Sequence, residues 1–186
     1  IVDGDRIMGM CAKVMKEKGT LKEDTLVVTV MSNIGLKKRM KELGINVVET
    51  KVGDRYVLEK MLQDGYSIGG EQSGHIIFLD KNTTGDGMLS AIQTLDVMKT
   101  TGKKMSALAA DIPIFPQVLV NVIVDNSVKQ EAMADEDLWE RIHEVEQKLG
   151  DSGRVLVRAS GTEPLIRVML EGQDTAEIGA HAIHIV

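Results

Sequence analysis

"TLVVTVMSNIGLKKRMKELGINVVE", residues 25–49, changes its hydrophobic period twice within one short span. Thr25–Val30 is a β-branched run of strand length, and Ile45–Glu49 is a second one. Between them Leu36, Met40 and Leu43 recur at helical spacing, and Gly44 can close that helix. Strand, helix, strand implies parallel pairing through a helical crossover. The pattern extends in both directions. Ile7, Met8, Met10, Cys11, Val14 and Met15 form an upstream helix stripe that Gly19 can end, and Val57, Leu58, Met61 and Leu62 predict a further helix closed by Gly65. "YSIGGEQSGHIIFLD" (66–80) reads as two short strands around a polar turn. "TTGDG" (83–87) precedes a helix with Met88, Ala91, Ile92, Leu95 and Met98 on one side and Asp86 as its N-cap. The expected fold class is α/β, with a mixed, mainly parallel sheet and crossover helices.

From 103 to 116 the pattern breaks at Lys-Lys, an Ala-rich turn and "DIPIFPQ", which holds two of the three prolines. The domain boundary is placed there, giving residues 1–108 and 109–186. Beyond it come "VLVNVIV" (118–124) and a helix with Leu138, Trp139, Ile142, Val145 and Leu149 on one face. "RVLVR" and "LIRVMLEG" then flank "ASGTEP", and a last helix follows. This is the order of a small α+β domain.

Composition narrows the function. A net charge of −6 argues against a general polyanion binder, so no nucleic-acid partner is expected. Cys11 is the only cysteine, which leaves no disulfide framework or thiolate metal site within one chain, and it reads as a small buried hydrophobe. No apolar run approaches the roughly 20 residues of a membrane span, and nothing at the start resembles a signal peptide. A cytoplasmic protein without membrane contact is expected. The chain starts at Ile1 and stops at Val186 inside an apolar, helix-like stretch, so it reads as a piece of something larger. Homo-oligomerisation stays open, since the 11 methionines suit ordinary core.

Four polar stretches could carry chemistry. In "VDGDR" (2–6) alternating aspartates could converge on a hard cation such as Mg²⁺, but the third acid such a loop wants is missing, because Ile1 stands two places before Asp3. Otherwise Asp3 or Asp5 caps the following helix. "RASGTEP" (158–164) offers the Arg158 fork, the Ser160 and Thr162 hydroxyls, and Gly161, where the backbone can curl so that successive N–H groups face one anion. It is either a phosphate loop or a plain hairpin turn. In "GGEQSGH" (69–75) Glu71 and Ser73 are two apart, so in extended chain they point the same way and suit vicinal sugar hydroxyls. His75 is a proton shuttle, a hydrogen-bond donor or a satisfied histidine at a strand start. "TKVGDRYV" (50–57) follows a parallel strand at its carboxyl end, where open α/β sheets place ligands. There Asp54 caps the next helix or meets a ligand, and Lys51 and Arg55 attract a phosphosugar or are solvated.

Together "TKVGDRYV", "GGEQSGHIIF", "TTGDGMLSAIQ" and "RASGTEPLIRVMLEG" resemble the carboxyl-terminal half of the α-D-phosphohexomutases, in the family's order and over nearly the whole chain. The resemblance implies the third and fourth of four domains, the fourth being TATA-box-binding-protein-like. It implies an intramolecular phosphotransferase that interconverts glucosamine 6-phosphate and glucosamine 1-phosphate through glucosamine 1,6-bisphosphate, on the route to cell-wall precursors. Phosphoglucomutase or phosphomannomutase activity, or a non-catalytic phosphosugar-binding module, are the alternatives. The family's phosphoserine and its Mg²⁺ on a three-aspartate loop belong to the first two domains, so neither a catalytic nor a metal residue is expected in this chain, and it is expected to be inactive alone. By resemblance Glu71 and Ser73 match the sugar-hydroxyl ligands and His75 the histidine of the same loop. Gly53, Asp54 and Arg55 match a loop that closes over substrate, and Arg158, Ser160, Gly161 and Thr162 match a phosphate clamp that Arg167 joins. "VDGDR" matches the opening of the third domain's first helix rather than the metal loop.

Overall fold

Strand β1 (Thr25–Thr29) is buried at every position. Its side chains alternate between two cores, Leu26 and Val28 facing one and Val27 the other. A strand covered on both faces needs a continuous apolar run, which is what "TLVVT" supplies. The computed structural model describes residues 1–186 and resolves them into two units, Ile1–Ile114 and Phe115–Val186.

In the first unit α1 (Gly4–Glu17) precedes β1, and α2 (Ile34–Glu42), β2 (Asn46–Thr50), α3 (Asp54–Asp64), β3 (Ile68–Gly70) and β4 (Ile76–Phe78) follow it. α4 (Gly87–Thr101) and α5 (Met105–Ala110) complete the unit. The sheet order is β2-β1-β3-β4, with β1 parallel to both neighbours and β4 antiparallel to β3. The chain moves outward from β1 to β2 and then back past β1 to β3, so two right-handed crossovers must use opposite faces. They do: Leu36 and Met40 of α2 join the larger core with Met8 and Cys11 of α1, whereas Val57 and Met61 of α3 form the smaller one. The Cys11 thiol is pushed up to about 12, chiefly by burial and then by the Asp96 carboxylate, and so behaves as a hydrophobe.

Two sequence expectations are corrected here. The predicted apolar side of α4 is the exposed one: Met88, Ile92 and Leu95 are 79%, 60% and 61% exposed, while Ser90, Thr94 and Val97 are buried. Polar residues can face the core because their hydroxyls are satisfied within the helix, Ser90 Oγ donating to Asp86 O (2.8 Å) and Thr94 Oγ1 to Ser90 O (2.7 Å). The boundary expected at 108/109 falls inside α5. Leu108, Ala109 and Ile112 belong to the first unit's core, and Asp111 ties this segment to α1 and α2 through Lys13 (2.8 Å) and Arg39 (2.7 Å). The first unit therefore runs to Ile114.

The second unit contains β5 (Gln117–Ile123), α6 (Lys129–Met133), α7 (Glu136–Leu149), β6 (Arg154–Ala159), β7 (Leu165–Glu171) and α8 (Thr175–Ile185). Its antiparallel sheet has the order β5-β7-β6. One face, with Val118, Val120, Val122, Val155, Val157, Val168 and Leu170, packs on Ile142, Val145 and Leu149 of α7 and Ile178 and Ala182 of α8. Alternation sends the next residues to the other face, where Asn121, Arg167 and Arg158 form one cross-strand row. No helix in either unit is long and apolar enough to cross a membrane.

Lys13, ahead of Arg39, holds the Asp111 carboxyl below the usual carboxylate range. A depressed folded-state value means that the contribution is present above the unfolded value of about 3.9 and lost as pH falls through the folded one. Asp111→Asn is expected to cost about 1 kcal/mol near neutrality, since the pairs are partly solvated. In urea titrations the gap to wild type should narrow as pH falls below about 3.9; a gap that is constant with pH would contradict the ion-pair role.

Candidate functional site

The β3–β4 hairpin places Gly70 opposite Ile76 and leaves Glu71–His75 as its loop. The loop is closed by its own backbone, Glu71 N donating to His75 O and Gly74 N to Glu71 O, both at 3.0 Å. It is also held from α1, where Gly4 N donates to Gln72 O (2.9 Å). A Cβ on Gly4 would stand 2.2 Å from Glu71 O, so a glycine lets the helix start close against the loop.

The Glu71 side chain is 17% exposed and reaches a second stretch of chain. Its Oε1 accepts from Gly53 N (3.1 Å), which joins two loops 18 residues apart in sequence. Gly53 has φ +129°, a region that side chains strongly disfavour, and is the N-cap of α3. Glu71 Oε2 lies 3.9 Å from His75 Nδ1, and that nitrogen lies 3.2 Å from Ser73 Oγ. A carboxylate, a hydroxyl, an imidazole and a fixed amide thus meet at the carboxyl ends of parallel strands β2 and β3. Acceptors and donors at this spacing suit a ligand rich in hydroxyls.

Other expected site residues stand apart from this cluster. Asp54 does not cap α3: it is the first helical residue, and its Oδ1 accepts from Arg55 N (2.8 Å). Arg55 is exposed and its Nε donates to Glu59 Oε1 (2.8 Å), an i,i+4 pair that raises the guanidinium pKa. Of Gly53, Asp54 and Arg55, only Gly53 is bonded to Glu71. Asp86 caps α4 through Met88 N (2.9 Å) and Leu89 N (3.0 Å). The aspartates of "VDGDR" are committed too: Asp3 Oδ1 caps α1 through Arg6 N (3.0 Å), and buried Asp5 accepts from Asn33 N (2.7 Å). No group of three or more His, Cys, Asp or Glu side chains is placed to hold a metal ion, so the residues present do not fit the Mg²⁺ that the resemblance implies for the longer protein.

In the second unit Arg158 and Arg167 are direct cross-strand partners. Like charges so placed repel. Burial and then the Arg167 charge lower the Arg158 pKa. Arg167 pairs with Glu163 and keeps a buried Nε without a hydrogen bond. Arg158 has no protein acceptor in the structure. The two strands are joined through Ser160–Glu163, where Ser160 Oγ accepts from Glu163 N (3.2 Å) and Ser160 N donates to Leu165 O (2.9 Å). The Gly161 and Thr162 amides donate to nothing in the chain. Gly161 has neither positive φ nor a neighbour within 4 Å of an added Cβ, so its conformation does not demand glycine. Two arginines on the strands flanking a loop with two consecutive unpaired amides suit an anion.

The sequence reading passed over Lys129. It sits at the start of the short helix α6 and sends its ammonium to Ser160 O (2.9 Å) and Glu163 O (2.7 Å). Nothing in "SVKQEAM" distinguishes it from a solvated surface lysine.

Family comparison agrees with these two units. Residues 3–115 match the model described as phosphoglucomutase/phosphomannomutase, alpha/beta/alpha domain III, and residues 119–183 match the C-terminal domain of the same family. A phosphoglucosamine mutase of Caldanaerobacter subterraneus subsp. tengcongensis is 58% identical over 182 residues, covering 98% of this chain and 41% of the relative. One of Ligilactobacillus salivarius is 60% identical over 173 residues, covering 93% and 38%. The chain thus spans about 40% of the length of these curated relatives. Among solved structures, an Aspergillus fumigatus N-acetylphosphoglucosamine mutase aligns with TM-score 0.81 at 21% identity over 99% of this chain and 42% of its own. A complex of that enzyme with GlcNAc-6P and magnesium aligns at 0.79, with 19% identity over 99% and 46%. At such identity the likeness is one of fold.

Gly53→Ala forces a side chain into a strained φ and disturbs the amide that holds Glu71. An expected loss of about 1–3 kcal/mol should appear as a lower urea midpoint. An unchanged midpoint would show that the loop junction carries no strain.

Proposed function

Because the chain belongs to the phosphoglucomutase/phosphomannomutase family, we propose that it is the substrate-binding half of a cytoplasmic phosphoglucosamine mutase. The full-length enzyme interconverts glucosamine 6-phosphate and glucosamine 1-phosphate through glucosamine 1,6-bisphosphate. The observation that carries the reading is the cross-strand pair Arg158 and Arg167 on the two strands that flank the loop with the unpaired Gly161 and Thr162 amides. A phosphate monoester supplies the charge and the oxygen acceptors that this group lacks.

Phosphoryl transfer asks mainly for in-line positioning and charge stabilisation. Arg158, Arg167, Ser160, Gly161 and Thr162 hold the phosphate that is not being transferred. Glu71 and Ser73 accept from and donate to sugar hydroxyls, and His75 adds a donor or acceptor. Gly53 sets the Glu71 carboxylate, whereas Asp54 and Arg55 contribute only if their loop moves toward the sugar. The phosphoserine that gives and receives the phosphoryl group, and Mg²⁺, which supplies electrostatic stabilisation, belong to other parts of the full-length enzyme. No step is assigned to a metal on these residues.

The 186-residue chain is expected to bind glucosamine 6-phosphate without turning it over. In calorimetry Arg158→Ala should weaken that binding about 10- to 100-fold, the worth of hydrogen bonds to a charged group. Glu71→Ala should weaken the phosphosugar but not inorganic phosphate. Mutase turnover by the purified chain, or unchanged affinity in Arg158→Ala, would overturn the reading.

A further inference from the structure

We infer that Lys129 is the positioning residue of the anion loop: its buried ammonium fixes Ser160 and Glu163 so that the Gly161 N–H faces outward toward a phosphate. The inference rests on the phosphate-binding reading above and deepens it.

Lys129 is 9% exposed, unusual for a lysine, and its partners are two backbone carbonyls. A buried ammonium is costly unless its hydrogens are used, and here at least two are. Carbonyl partners satisfy geometry but do not neutralise charge. Lys129 therefore brings an un-neutralised positive charge to a loop whose flanking strands carry Arg158 and Arg167, of which Arg167 is paired with Glu163. A phosphate monoester carries about −1.5 to −2 at neutral pH, the sign of charge that such cations favour.

The orientation follows from peptide geometry. Ser160 C=O and Gly161 N–H are two ends of one planar, trans peptide and point in opposite directions. Anchoring the carbonyl on Lys129 Nζ therefore aims the Gly161 N–H away from the lysine. Glu163 O is held twice, by Lys129 and by Leu165 N (2.8 Å), and Glu163 N is taken by Ser160 Oγ (3.2 Å). Gly161 and Thr162 are left as the two consecutive amides free to meet a ligand. Without the ammonium, the Ser160–Gly161 peptide loses what prevents it from turning over.

The test compares Lys129→Met and Lys129→Arg with wild type in the whole chain, using two readouts. Without ligand, the amide resonances of Gly161 and Thr162 should shift in Lys129→Met while those of Val145 and Leu170 stay in place. With glucosamine 6-phosphate and inorganic phosphate as probes, both affinities should fall about tenfold, equivalent to about 1.4 kcal/mol. Lys129→Arg, which keeps charge and donors, should recover most of both. Lys129→Met with native loop resonances and native affinity would overturn the inference. Should Lys129→Met fail to fold, Lys129→Gln, which keeps hydrogen-bond donors but loses the charge and some reach, decides: displaced Gly161 and Thr162 resonances with weakened affinity support the assignment, and native resonances with native affinity overturn it. If wild type bound neither probe, the phosphosugar reading would fall, and the ligand-free resonances would still decide the role of Lys129.

Discussion

Strand β1 leaves no face for water, and the first unit is arranged around that constraint. A strand covered on both sides needs helices in two layers, which fixes α2 and α3 on opposite faces once the β2-β1-β3 order is set. Parallel strands have their carboxyl ends on one edge, so the loops after β2 and β3 emerge at that edge, on either side of β1. The bond from Gly53 to Glu71 is the local result. Residues distant in sequence meet because the topology leaves their loops nowhere else to go.

The second unit faces a different constraint. Its antiparallel sheet has helices on one face only, so alternation sends every second residue to the other. That is how Arg158 and Arg167 come to be neighbours, although nine residues separate their numbers and a polar loop lies between them. The proximity opposes folding, since two guanidinium groups repel across adjacent strands. Glu163 offsets part of this through Arg167, while Arg158 has no such partner.

Much of this could be read in the sequence. The strands around "TLVVTV" and "INVVE", the caps at Asp3 and Asp86, and both polar loops carry local signals that tertiary structure preserves. What escaped the reading shares a cause. Periodicity finds an apolar face on α4 but not which way it looks, and internally bonded Ser90 and Thr94 let the other side face the core. Short helices such as α5 and α6 have too few turns to show a period, so the expected boundary falls six residues before the observed one and nothing local marks Lys129. The setting of the Glu71 carboxylate depends on one positive-φ glycine, Gly53, whose φ no composition reveals.

The repulsion between Arg158 and Arg167, which Glu163 relieves only in part, makes the second unit's stability a function of what is dissolved around it. An anion that binds the folded strand pair and not the unfolded chain adds RT ln(1 + [L]/Kd) to the unfolding free energy. A phosphate ester held there would be thermodynamically linked to the fold of this unit: it would act as a missing counter-ion of the sheet, and the unit would be most stable where such esters are plentiful.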